Sequence, residues 1–126
     1  MNRKTPLGAA RGLGSAGSGT HHWWMQRASA VALVPLTLWF VWNLVALSGA
    51  GHADVVIWLA RPVNAVMLTL LVIAAFHHMQ LGLQVVIEDY VHGEGAKLVL
   101  LLIVKLGTFA LAVTALFGLL SVAFRG

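Results

Sequence analysis

Three long apolar segments divide the sequence. They cover residues 28–47, 63–87 and 98–124, and Lys105 is the only Asp, Glu, Lys or Arg within them. Each has the roughly 20 apolar residues that are needed to cross a hydrocarbon layer about 30 Å thick. A segment in lipid must be helical, because only a helix pairs every backbone N–H and C=O within the segment. The pattern therefore predicts an all-α integral membrane protein with three transmembrane helices.

The remaining segments are short and polar. Residues 1–20 are rich in Gly, Ala and Ser and are predicted to form a flexible tail, which leaves 21–126 as the three-helix membrane domain. Between the first two spans, Asp54 is expected to begin a short helix along the membrane surface. Pro35 lies inside the first span, and membrane helices tolerate a proline there.

Composition supports a membrane location. The chain is 60% apolar and 10% charged, whereas soluble domains are about 45–50% apolar and about 25% charged. It contains no cysteine, which excludes disulfides and thiolate-held metals or iron–sulfur clusters in this chain. The net charge of +4 comes from scattered basic residues that form no stripe, so nucleic acid is not an expected partner.

The distribution of Lys and Arg predicts the orientation. An inside N-terminus places five basic residues in the cytoplasm and two, Arg61 and Arg125, on the other side. The five are Arg3, Lys4, Arg11, Arg27 and Lys97. Because basic residues concentrate on the cytoplasmic side, we predict a cytoplasmic N-terminus and a periplasmic C-terminus.

The second span carries most of the polar residues that are expected in lipid, and such residues usually face protein or water. At about 100° per residue they form two neighbouring helix faces. One face contains His78, Gly82, Val85 and Asp89. The other, the polar face, contains His77, Gln80, Gln84 and Glu88.

The depth of His78 indicates a cofactor. It lies about 15 Å along the helix from Glu88, near the bilayer centre, where a neutral imidazole can bind haem iron. Gly82, one turn away, would let a flat macrocycle approach the backbone. The alternative is a histidine that hydrogen-bonds a neighbouring helix. His77 points about 100° away, so only one of the pair can serve a given iron. A second axial ligand would have to come from another chain, because no other histidine lies at this depth.

The run from His78 to Gly93, which includes Gly82, Gln84, Asp89 and Tyr90, closely resembles the second-helix signature of the small hydrophobic anchor of succinate dehydrogenase. His21 and Arg27, six residues apart before the first span, also resemble this family. The resemblance implies that His78 is an axial ligand of haem b, with the second ligand on a larger cytochrome b anchor subunit. It further implies that Tyr90 hydrogen-bonds a quinone carbonyl beside Asp89. The same resemblance implies that His21 and Arg27 lie near the haem propionates and the quinone pocket.

The implied function is electron transfer from succinate to ubiquinone, in an oxidoreductase where this chain does not itself bind succinate. The implied partners are a flavoprotein, an iron–sulfur subunit and the larger anchor subunit in the bacterial cytoplasmic (inner) membrane. Three alternatives stay open: a fumarate reductase anchor, a structural anchor without haem, and a small transporter lined by the polar face. Lys105 has no family role, and its side chain is expected to reach toward the cytoplasmic interface.

Overall fold

Four helices account for most of residues 16–125, the part of the chain that the computed structural model describes. They are α1 (Ala16–Ala46), α2 (His52–Ala60), α3 (Pro62–Tyr90) and α4 (Glu94–Arg125). Three of them, α1 from Thr20 onward, α3 and α4, are long and apolar enough to cross a membrane. The prediction of an all-helical chain with three spans is therefore confirmed.

The helices extend beyond the apolar runs. α3 continues to Tyr90 and α4 starts at Glu94, because a helical hydrogen-bond ladder does not need to end where the hydrocarbon ends. α1 begins at Ala16, so residues 16–20 of the predicted tail are helical, and the rest of that tail lies outside the described residues. Pro35 is inside α1 as expected.

The connection between α1 and α3 contains the predicted short helix. Gly49 has a φ of 82°, a left-handed conformation that favours glycine and turns the chain after α1. The backbone N–H of Gly51 then donates to the Asp54 carboxylate at 3.4 Å, as expected for an acid in the first turn of a helix. Pro62 occupies the first turn of α3, where its missing N–H costs nothing.

The long helices lie in a row with α3 in the middle. α3 packs against α1 on one side and α4 on the other, while α2 contacts α3 and α4. Within residues 16–125, no Cα of α1 comes within 8 Å of a Cα of α4. α1 and α3 are antiparallel, with Ser29 opposite His78 and Gln26 beside Gly82.

Asparagine and tryptophan side chains join the helices at the end of the row that holds α2. The Trp58 indole N–H donates to Asn43 Oδ1 at 3.0 Å, and the Asn43 amide donates to the Trp39 carbonyl at 2.8 Å. Asn64 donates to the Trp58 carbonyl at 2.9 Å. The Trp39 and Trp58 rings stack with centroids 5.7 Å apart. These bonds connect α1, α2 and α3, because hydrogen bonds and close packing hold helices together in lipid.

Candidate functional site

His78 lies where α3 packs against α1. Its Nδ1 is 3.0 Å from the Ser29 hydroxyl, and Ser29 is buried, with 8% of its surface exposed. A hydrogen bond to a neighbouring helix was the alternative to cofactor binding. That bond is present, but it uses Nδ1, and the second ring nitrogen, Nε2, is not engaged by it. The two interpretations of His78 are therefore compatible.

His77 lies on the neighbouring face of α3, toward α4. It lines a cleft of about 230 Å³ between α3 and α4, together with Ile73, Phe76, Gln80, Thr108 and Ala112, among others. Its Nε2 is the one buried side-chain N or O atom without a hydrogen-bond partner among the described residues. The two adjacent histidines thus differ in surroundings, since the Nε2 of His77 is enclosed by protein.

Gly82 is half-buried, and α1 does not require it to be glycine. A Cβ added at this position would meet only the Gln26 side-chain nitrogen, at 3.9 Å, which is an ordinary van der Waals distance. Within this chain, packing therefore leaves room for alanine. A flat ligand against this part of α3 would use the space that a larger side chain would fill.

Arg27 and His21 are exposed residues of α1. The Arg27 guanidinium carbon lies 5.4 Å from the centre of the Trp23 ring, a distance typical of a cation–π contact. Because Ser29 lies opposite His78, Arg27 is displaced from the level of His78 by only about 3 Å of helical rise. His21 lies about 9 Å further toward the end of the row that holds Tyr90. The structure thus brings Arg27 near the depth of His78 without a direct contact between them.

Asp89 and Tyr90 end α3, and both are exposed. Tyr90 has 76% of its surface exposed, and the helix closes with the Val91 N–H donating to the Ile87 carbonyl at 3.0 Å. Tyr90 is 12 residues beyond His78 on the same helix, an axial separation of about 18 Å. The predicted axial ligand His78 and the predicted quinone residue Tyr90 are therefore well separated along α3, with His21 of α1 at a level between them.

The polar face turns partly toward α4. Gln84 is buried and its amide donates to the Glu88 carboxylate at 3.1 Å. His77 and Gln80 border the cleft beside α4, whose lining is mainly apolar side chains. The polar face is thus partly paired within itself and partly bordered by apolar side chains. Lys105 is exposed on α4, and the expected reach of its side chain toward the interface stays a prediction.

Ser29 and Asn43 make contacts between helices that the sequence pattern did not predict. Both are polar residues inside the first span, and a polar residue in a span usually faces protein. That signal was available in the sequence, but which residue each one contacts depends on how α1 docks on α3 and α2. Within residues 16–125 no three His, Cys, Asp or Glu side chains cluster as a metal site. A single axial histidine needs no such cluster.

The helices and their polar residues define a multi-pass, all-α membrane protein with functional candidates on its middle helix. Residues 1–120 match the family model for the succinate dehydrogenase/fumarate reductase transmembrane subunit. The chain belongs to this family. It is 38% identical over 118 residues to the succinate dehydrogenase hydrophobic membrane anchor subunit of Rickettsia bellii, covering 93% of this chain and 91% of the relative. The protein of the same description from Paracoccus denitrificans is 35% identical over 112 residues, or 89% and 87% of the two chains. No solved structure matches the chain.

Proposed function

We propose that this chain is the hydrophobic membrane anchor of a succinate dehydrogenase, that it holds a haem b through His78, and that Tyr90 and Asp89 belong to a quinone-reduction site. The observation that carries the haem proposal is the arrangement of His78. Its Nδ1 is held by Ser29 at 3.0 Å, deep in a span, while Nε2 is left for another ligand. The family includes both succinate dehydrogenase and fumarate reductase subunits, and the names of the relatives, succinate dehydrogenase anchor subunits, support the proposed direction from succinate to quinone.

The residues around His78 fit a haem. The imidazole supplies a neutral nitrogen ligand. The space beside Gly82 is not filled by close packing within the chain. Arg27, near this depth, and His21, nearer the helix end, supply positive charge or hydrogen bonds for the propionates. A bound haem contributes a centre that takes up one electron at a time. The second axial ligand is assigned to the larger cytochrome b anchor subunit, because His77 points about 100° away and no further histidine of this chain lies at that depth.

The exposed end of α3 has the chemistry for quinone reduction. Quinone takes up two electrons and two protons to become quinol. The Tyr90 phenol can donate a hydrogen bond to a quinone oxygen as negative charge develops there. The neighbouring Asp89 carboxylate can accept and pass on a proton. Exposure of both side chains leaves them available to the quinone and to partner subunits.

The remaining subunits and the orientation follow from this chemistry. The electrons come from succinate oxidation on a flavoprotein and pass through an iron–sulfur subunit, which must dock near Tyr90. With the N-terminus inside, as the basic residues predict, the Tyr90 end of α3 lies at the cytoplasmic face of a bacterial inner membrane. The quinone site is then close to its electron donor, and the quinone type proposed is ubiquinone.

The adjacent histidines provide a matched test. His78→Ala and His77→Ala are introduced separately into the assembled complex, and reduced-minus-oxidised spectra are recorded on purified membranes. We expect the b-type band to be lost or shifted in His78→Ala and retained in His77→Ala. The reverse result would reassign the ligand to His77. A wild-type complex without a b-type band would refute the haem and leave a purely structural anchor.

A further inference from the structure

We infer that Ser29 is a positioning residue that sets the tautomer and the ring orientation of the haem ligand His78. This inference rests on the proposed haem-binding function. It concerns a residue of α1, outside the second-helix run from which the site was first predicted. Its basis is the pair of hydrogen bonds that the Ser29 hydroxyl makes with the backbone of its own helix and with the imidazole.

The Gln26 carbonyl is within hydrogen-bond distance of the Ser29 hydroxyl and can accept its single proton. Ser29 Oγ donates to the Gln26 carbonyl at 3.0 Å, one turn earlier in α1. A hydroxyl has one proton and two lone pairs, so the same oxygen faces Nδ1 of His78, at 3.0 Å, with a lone pair. In the arrangement that we infer, Nδ1 carries the hydrogen of this contact and donates it to Ser29.

The position of this proton determines which nitrogen can bind iron. A neutral imidazole carries one N–H, and placing it on Nδ1 leaves Nε2 with a free lone pair. Metal-binding histidines commonly donate their other N–H to a fixed acceptor, which orients the ring and increases the basicity of the ligating nitrogen. His77 differs, because its Nε2 is enclosed by protein and has no hydrogen-bond partner among the described residues. The contact with Ser29 is therefore one difference between the adjacent histidines.

A purely structural role for Ser29 makes a different prediction. If the bond only joins α1 to α3, its loss would weaken helix packing and leave the electronic state of the haem unchanged. Thr108 provides a matched control, since it is also buried, at 6% exposure, and its hydroxyl donates to the Val104 carbonyl one turn earlier at 2.6 Å. It lies on α4, on the His77 side of α3, away from His78.

The test compares Ser29→Ala, Ser29→Thr and Thr108→Ala in the assembled complex, with His78→Ala beside them. The measurements are haem content, the rate of haem transfer to excess apomyoglobin, the haem reduction potential and the low-spin ferric electron paramagnetic resonance signal. For Ser29→Ala we expect haem affinity to fall by about 10–100-fold, and a more positive potential, because the ligand becomes less basic. Ser29→Thr should restore the wild-type values, and Thr108→Ala should not change them.

If Ser29→Ala fails to assemble, Ser29→Cys decides the question, because a thiol of similar size is a weaker acceptor. It should shift the potential and the resonance signal in the same direction as alanine. Wild-type haem behaviour in the Ala or Cys variant, with haem lost or altered in His78→Ala, would overturn the role of Ser29. Wild-type haem behaviour in His78→Ala itself would instead refute the proposed haem ligand, so the two failures are distinguishable.

Discussion

Replacing Tyr90 by phenylalanine separates quinone chemistry from membrane anchoring. The change keeps the aromatic ring and removes only the hydroxyl. Tyr90 is the last residue of α3 and is 76% exposed, so the loss of one oxygen atom should leave helix packing, assembly and haem content unchanged. Any large effect on the rate must therefore arise from the loss of the hydrogen bond between the Tyr90 hydroxyl and the quinone.

The expected effect on catalysis is large because the hydrogen bond forms where charge develops. Removing one such donor costs about 2.7–4 kcal/mol, or roughly a hundredfold to a thousandfold in rate. The exposure of Tyr90 allows a water molecule to replace the hydroxyl in part. We therefore expect the succinate-to-ubiquinone rate to fall by at least about tenfold, the lower bound of this reasoning.

Two assays on the same preparation distinguish the possible outcomes. Succinate-driven reduction of an artificial dye that accepts electrons before the membrane should stay at the wild-type rate, while ubiquinone reduction should fall. Trp24→Phe is a matched control, because Trp24 is another exposed aromatic residue toward the same end of the row, and it should affect neither rate. Ubiquinone reduction near the wild-type rate in Tyr90→Phe would refute the assignment and leave Tyr90 as an interfacial anchor.

Three further predictions concern orientation, the haem face and helix association. Reporter fusions after Gly126 should report the periplasmic side, and fusions within 93–96 should report the cytoplasmic side. The opposite pattern would also place the proposed quinone site on the periplasmic side of the membrane, away from its electron donor. Gly82→Leu should lower the haem content of the purified complex while the anchor still assembles, whereas Gly82→Ala should have a smaller effect. Wild-type haem content in both variants would show that Gly82 does not contact the haem. Asn43→Ala should destabilise the α1–α2 contact by about 1–3 kcal/mol, because the Trp58 N–H loses its acceptor, and a thermal unfolding curve like that of the wild type would contradict this.

The three spans could be predicted because the bilayer imposes a simple rule on the sequence. An apolar run of sufficient length must be helical in lipid, so no tertiary information was needed. The ends of the helices could not be read in this way. α3 reaches Tyr90 and α4 starts at Glu94 because helical hydrogen bonds continue through the interface, where polar residues are tolerated.

The candidate site could be predicted only as far as it lies on one helix. The spacing of His78 and Gly82 defines a face by helical periodicity alone. The contribution of Ser29 depends on the docking of α1, which periodicity does not specify. Trp58 illustrates the same limit, because its indole N–H donates to Asn43 of α1, a partner that periodicity within α2 does not specify.

The arrangement of α1, α3 and α4 in a row has a practical consequence for handling the protein. Three helices in a row enclose little interior, and among the described residues only four apolar side chains are buried: Leu36, Leu68, Leu81 and Ile87. Lateral pressure from lipid and contacts with other subunits must therefore do what a core does in a soluble domain. Detergent that removes the lipid and the other subunits removes this support. This architecture therefore requires preparation in a nanodisc or in a polymer-bounded patch of native membrane.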